Sequence, residues 1–238
     1  MNALTEHTIP AVGTAMLGGF FAGLVNISGQ TKGIIVAPKS TGEYKGKWAE
    51  SEARIEGAAC PVDGQQNTLD MIAAGTALGK WVKALDIGGF TDWHIPSRDQ
   101  LEIVYRAFKP TEDENWAYSG VNISSVPPHN LYTNENPKQC ELAEFKRGGT
   151  EAFEAAWYWT STQVGEAYAW IQNFNNGNQN NNWKNNNNRA RAVRSSYQTE
   201  PLPSFQELVE AYFECRKGKR NSDTALAFEA NLERNLCA

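Results

Sequence analysis

The 238-residue sequence predicts an α+β domain in which two helices pack on small, mostly antiparallel and irregular sheets. Three observations carry this. A pair of β-rich runs opens the chain, two segments of helical periodicity occupy its middle, and β-type alternation fills residues 157–194. The length suits one large domain or one domain with an appendage. At this size a chain buries about 70% of its unfolded surface, so its core needs no metal or disulfide staple. A hydrophobic fraction of 41% and a charged fraction of 21% exclude global disorder and a membrane-embedded bundle. A net charge of −5 argues against wrapping nucleic acid by charge alone.

The apolar stretch from Ala11 to Ile27 is interrupted by four glycines, and no Lys or Arg precedes Lys32. It therefore reads as the opening strands of a domain, with neither a signal peptide nor a membrane span expected. Residues 19–37 read as a hairpin turning at Ser28 to Gly33, and residues 39–66 as irregular. Met71, Ala74, Leu78, Trp81, Val82 and Leu85 recur at helical spacing, which predicts one helix over 67–86, stopped by Gly88-Gly89. Thr91 to Pro96 reads as a short strand. Ser97 with Gln100 forms a capping box for a helix carrying Leu101, Val104, Tyr105 and Phe108 and ended by Pro110. Residues 111–155 are loop-rich. The alternating runs are AWYWTST, AYAWIQNF, NWK and ARAVR.

Beyond Pro201 the character changes. Ser204 and Glu207 form a second capping box before Leu208, Val209, Tyr212 and Phe213, and the basic run Arg216 to Arg220 precedes another helical stretch with Phe228 and Leu232. The expected organisation is a lead-in over 1–17, a domain over 18–198 and a helical tail over 199–238.

Between 173 and 188, 11 of 16 residues are Asn: Asn173, Asn175, Asn176, Asn178, Asn180, Asn181, Asn182, Asn185, Asn186, Asn187 and Asn188. Asn favours turns over strands, so a polar low-complexity segment is one reading. Phe174 and Trp183 inside the tract, and the tight flanking runs, oppose that reading. Each Asn side chain offers donors and an acceptor, and rigid aromatic rings add area at low entropic cost. The eleven Asn and Trp183 are the candidate ligand-binding residues, a role implied by the resemblance set out next. Tyr168, Trp170 and Trp183 are candidate anchors, with Trp170 expected in the core because an alternating strand buries one face.

Gly88, Gly89, Asp92, Trp93, His94, Ile95, Pro96, Ser97 and Leu101, followed by Tyr158 to Thr162 and a closing RARAVRS, resemble the DUF1566-type branch of the C-type lectin fold over about residues 18–196. That resemblance implies a C-type lectin-like fold. The Asn tract, over 157–196, resembles the variable region of a diversity-generating retroelement. There, error-prone copying at adenines diversifies ligand-facing positions, and adenine-rich Asn codons mark them. Phe174, Gly177, Trp183, Arg191 and Val193 are then fixed positions between them. Residues 202–238 resemble the N-terminal segment of the retroelement's reverse transcriptase. The resemblance implies a non-catalytic receptor-binding protein of a phage tail, prophage or bacterial cell surface. Its ligand would be a host-surface protein or glycan, homo-oligomers are possible on this plan, and the lectin domain itself is not expected to bind nucleic acid.

The competing readings are a fixed glycan-binding lectin and an enzyme related to formylglycine-generating enzymes. The second needs a cysteine pair meeting in a pocket, and Cys60 and Cys140 lie outside any matching motif. His94 is expected to play a structural hydrogen-bonding role. Glu112, Asp113 and Glu114 read as a solvated loop, and Glu135-Asn136-Pro137 runs in the wrong order for a calcium-lectin triplet. No catalytic residue, cofactor or metal is expected.

Overall fold

The computed structural model describes residues 9–197; the second capping box, the basic run and the helical tail lie outside the described residues. The elements follow in chain order. Strands β1 (Ala15–Met16), β2 (Gly19–Ile27) and β3 (Gln30–Val36) come first, then the one-turn helix α1 (Lys39–Gly42) and β4 (Glu43–Gly46). Helices α2 (Gly64–Ala73), α3 (Ala77–Lys83) and α4 (Arg98–Phe108) occupy the middle. After β5 (Ser125–Val126) and a 3-10 turn (Ala143–Phe145) come β6 (Trp157–Gln163), β7 (Tyr168–Asn173), β8 (Gln179–Trp183), β9 (Asn188–Arg191) and β10 (Val193–Tyr197). The result is a mixed α+β fold with two five-stranded sheets, and none of the described helices is long and apolar enough to cross a membrane.

The first sheet runs β1-β2-β3-β10, with β5 on the other part of β2. The expected hairpin is β2–β3, closed at Asn26, whose side chain accepts from the Gly29 amide at 2.9 Å. Its outer partner is the last described strand, with Val193 opposite Val36 and Tyr197 opposite Lys32. The second sheet runs β4-β9-β6-β7-β8, antiparallel except where β6 meets β9. Both sheets thus join early to late sequence. One core cluster gathers Trp48, Leu78, Trp93, Ile95, Trp159 and Ile171; the other gathers Val104, Tyr105, Phe108, Phe145, Tyr158 and Phe174.

Three local expectations meet the structure differently. The capping box at Ser97 is present in both directions: the Gln100 amide reaches the Ser97 hydroxyl, and the Ser97 amide donates to Gln100 Oε1. The single helix over 67–86 is two helices. Gly75 takes φ +69 between them, and Thr76 caps the second by accepting from the Gly79 amide at 3.0 Å. A left-handed glycine ends one helix as a β-region threonine starts the next. The strand expected over 91–96 is reduced to a single bridge, His94 with Val193. The surrounding residues are instead fixed by side chains: Thr68 Oγ1 accepts from the Ile95 amide at 3.0 Å.

Candidate functional site

β8 is an edge strand, and its sequence is almost wholly amide: Gln179, Asn180, Asn181, Asn182, then Trp183. Strand propensity does not explain it. Its neighbours do. The turn between β7 and β8 is closed by asparagine chemistry, since Asn173 Oδ1 accepts from the Asn175 amide at 2.8 Å and Asn176 Oδ1 from the Asn178 amide at 3.2 Å. Such Asx contacts substitute for backbone turns. Phe174 is fully buried, stacked on Phe153 at 4.2 Å and set edge-on to Tyr105 at 5.5 Å. Gly177 has φ +76, and a Cβ there would stand 2.5 Å from the Tyr105 ring. The entrance to β8 is therefore rigidly anchored by one aromatic plug and one glycine.

The exit is anchored by Lys184. Its side chain is fully buried, and its ammonium donates to the Ala53 carbonyl (2.8 Å), Gln163 Oε1 (2.9 Å) and the Gly165 carbonyl (3.0 Å), above the Trp48 ring at 4.7 Å. Burial first, then the positive charge of Arg54, lowers its pKa to about 8, with Glu166 opposing. The amides of Trp48 and Ala49 donate in turn to the Lys184 carbonyl at 2.9 and 3.1 Å.

Around these anchors the predicted binding residues separate into two groups. Asn180, Asn181, Asn185, Asn186 and Asn187 are exposed. Asn173, Asn175, Asn176, Asn178, Asn182 and Asn188 are half-buried, and several serve the turns. Asn175 also accepts from Arg147 at 3.2 Å, while its carbonyl receives the Thr111 hydroxyl. Asn188 begins β9 opposite Gly46, with its side-chain nitrogen buried and unpartnered. Trp183 is 43% exposed and lies across from Tyr168, ring centroids 4.5 Å apart.

Alternation along β7 buries Ala169 and Ile171, which leaves Tyr168 and Trp170 on the opposite face. Trp170 is thus half-buried rather than core, opposite Asn181 and 5.6 Å beneath the Arg98 guanidinium. The core side of this strand is already filled by the neighbouring alanine and isoleucine. Asn181, Trp183, Tyr168, Trp170 and Arg98 therefore share one surface.

That surface continues into the loop after α4. The Trp116 amide donates to the Asn176 carbonyl at 2.8 Å, and the Gln179 amide donates to the Ser119 hydroxyl at 3.0 Å. This loop presents Trp116 (46% exposed) and Tyr118 (83% exposed) to solvent, packed edge-on at 5.7 Å. Neither ring was singled out from sequence, because a loop-rich segment has no period that assigns a face. Lys184 did leave a signal, being the one charged residue between 173 and 188.

His94 is buried, its Nε2 lies 3.3 Å from the Ser195 hydroxyl, and burial lowers its pKa to about 4. Cys60 and Cys140 are free thiols, and burial raises the pKa of Cys140. The first motif and the closing RARAVRS run meet in space: Arg194 forms a two-pronged pair with Asp92, at 2.6 and 2.9 Å, and Gln100 reaches Ser195 at 3.2 Å.

The Lcl C-terminal domain family matches residues 47–194, more than half of the chain. Comparison with curated proteins returned no match. Among solved structures, a fimbrial protein from Bacteroides ovatus ATCC 8483 is similar at 12% identity with a TM-score of 0.41, over 69% of this chain and 36% of that one. The chain thus spans about a third of that protein's length. The family match runs from the residues just before Trp48, through both motifs, to Arg194 at the partner of Asp92, and on this extent the chain belongs to the Lcl C-terminal domain family.

Proposed function

We propose that this is a non-catalytic, surface-acting binding protein whose ligand face is the outer part of β8, the turn over 185–187, and the rings of Tyr168, Trp170 and Trp183. The observation that carries the reading is the division within the Asn tract. Exposed amides at Asn180 and Asn181 lie between deeply buried anchors at Phe174 and Lys184, and those at 185–187 follow directly on the second anchor. A frame of that kind holds a face without depending on which residue stands at each exposed position. Amides and aromatic rings together make an adaptable contact surface of the type antibodies use. Aromatic anchors supply most of the affinity at such surfaces, so the rings of Tyr168, Trp170 and Trp183 carry what binding there is and the asparagines alone add little.

The finer reading is a C-type lectin-like domain diversified by a retroelement, acting on a phage tail or a bacterial cell surface. Its ligand is a host-surface protein or glycan. The motif residues from Gly88 to Leu101 and from Tyr158 to Thr162 support it, as do the five asparagines that stand exposed at 180, 181 and 185–187. Sequencing the locus and its flanks tests it. The reading expects a near-copy of the stretch encoding residues 157–196 that differs only at adenines, beside a reverse-transcriptase frame. A single copy with no such partner rejects diversification and leaves a fixed binder.

A further inference from the structure

Asn176-Gly177 is the only Asn–Gly step in the chain, and it sits in the turn between β7 and β8. Such a step is chemically labile. The main-chain nitrogen that follows an asparagine can attack its side-chain carbonyl carbon, and a glycine, with no Cβ, leaves that nitrogen unshielded. Every other asparagine of the tract precedes a residue that carries a side chain.

The folded turn holds both reacting groups. The Gly177 amide donates to the Asn173 carbonyl at 2.7 Å, and the Asn173 amide donates to the Asn178 carbonyl at 2.9 Å. Asn176 Oδ1 accepts from the Asn178 amide at 3.2 Å, and the Asn176 carbonyl accepts from the Trp116 amide at 2.8 Å. Gly177 is buried, and a Cβ there would stand 2.5 Å from the Tyr105 ring and 2.7 Å from the Tyr132 ring. A main-chain N–H held in this way gives up its proton only after the hydrogen bond opens.

We propose that Asn176 is a spontaneous deamidation site gated by opening of the β7–β8 turn, and that its isoaspartyl product dismantles the β8 face. In the opened turn the Gly177 nitrogen loses its proton to solvent and bonds to Asn176 Cγ. The Cγ–Nδ2 bond breaks, and Nδ2 leaves as ammonia. Water then cleaves the cyclic imide at one of its two carbonyls. Cleavage at Cγ leaves an aspartate on an unchanged backbone. Cleavage at the main-chain carbonyl leaves an isoaspartate, whose chain runs through Cγ and is longer by a methylene. The carbonyl that Trp116 now holds becomes a carboxylate outside the main chain. The added methylene falls beside Gly177, where the two tyrosine rings leave no space. The product therefore loses the closed turn that sets the register of β8. The inference concerns the lifetime of the face and holds whatever ligand the face binds.

The test incubates the full chain in warm, mildly alkaline buffer, either folded or unfolded in urea. Tandem mass spectrometry of the tryptic peptide 148–184 then locates each amide-to-acid conversion. In urea, Asn176 converts first within that peptide, and Gly177→Ala slows it by at least about tenfold. This arm needs no variant to fold. In the folded chain, conversion at Asn176 is slower than in urea by at least about tenfold. Returned to native buffer, chains with isoaspartate at 176 lose slow amide exchange over Gln179–Trp183. Asn176→Asp adds the same charge on a normal backbone, keeps the Oδ acceptor and retains that slow exchange. Faster conversion of another asparagine of the peptide in urea overturns the site. Equal rates in the folded and unfolded chains overturn the gate. Isoaspartyl chains with protected β8 amides overturn the consequence.

Discussion

Lys184 shows how one residue converts a polar tract into structure. Its ammonium has three oxygen partners and no carboxylate within the set, so the group's cost of burial is met by hydrogen bonds and the Trp48 ring. Lys184→Met keeps the volume but removes three hydrogen bonds to the ammonium, with only Gln163 Oε1 keeping another donor, the Ile55 amide, and is expected to lose about 2–3 kcal/mol in urea unfolding. Asn185→Ala, on the exposed turn, is expected to stay within about 0.5 kcal/mol of the unaltered protein in the same measurement. His94 makes the corresponding statement about pH. Its folded pKa of about 4 lies below the ordinary 6.5, so between those values the unfolded chain takes up a proton that the folded chain refuses. Stability therefore falls as pH drops through that window, by up to about 3 kcal/mol at its lower end. His94→Asn is expected to flatten this limb of the stability-pH curve, read from urea midpoints at pH 7 and pH 4.5.

At the scale of elements, the turn from β7 to β8 decides whether the edge strand exists. Gly177 is held at φ +76 with the Tyr105 and Tyr132 rings where a Cβ would go. Gly177→Ala is expected to cost about 2–4 kcal/mol from strain and overpacking together. Gly89 has a similar φ of +79 but open space around it, so Gly89→Ala is expected to cost only about 1 kcal/mol. Comparing the two thermal midpoints separates packing from backbone strain. The same elements show what was legible in the sequence. The hairpin of β2 and β3, the capped start of α4 and the late β runs all declare themselves by local chemistry: a turn cluster, a Ser97–Gln100 pair, alternation. The break at Gly75 was not legible, because the apolar spacing continues across it. Of β8 only the end was legible, in the run NWK. Asn is a poor strand former, and what holds Asn180 to Asn182 extended is pairing with β7 and anchoring at both ends. Trp170 was misplaced for a related reason, since alternation identifies two faces without saying which one is core.

Across the whole molecule, the late strands are tied to the early ones by charge as well as by pairing. Glu43 on β4 receives Arg191 through two nitrogens, at 2.6 and 3.1 Å, and Arg189 at 2.5 Å, with all but the outer part of Arg189 shielded from solvent. Removing the carboxylate strands two guanidinium groups, so Glu43→Ala is expected to cost about 3–5 kcal/mol by denaturant unfolding. β1 to β4 lie upstream of the family match, yet β3 pairs with β10 and β4 with β9, so the folded unit is larger than the matched segment. The frame built this way surrounds the exposed amides, whose own contacts stay within the tract: Asn180 Oδ1 accepts from the Asn181 amide and Asn186 donates to Asn182 Oδ1. The central claim, that these amides are a replaceable face on a fixed frame, is tested most directly by a folding-selected substitution scan over residues 173–188. The account predicts broad tolerance at Asn180, Asn181, Asn185, Asn186 and Asn187, with little at Phe174, Gly177 and Lys184. Intolerance at the five exposed positions equal to that at Phe174 would contradict it, because those asparagines would then be serving the fold.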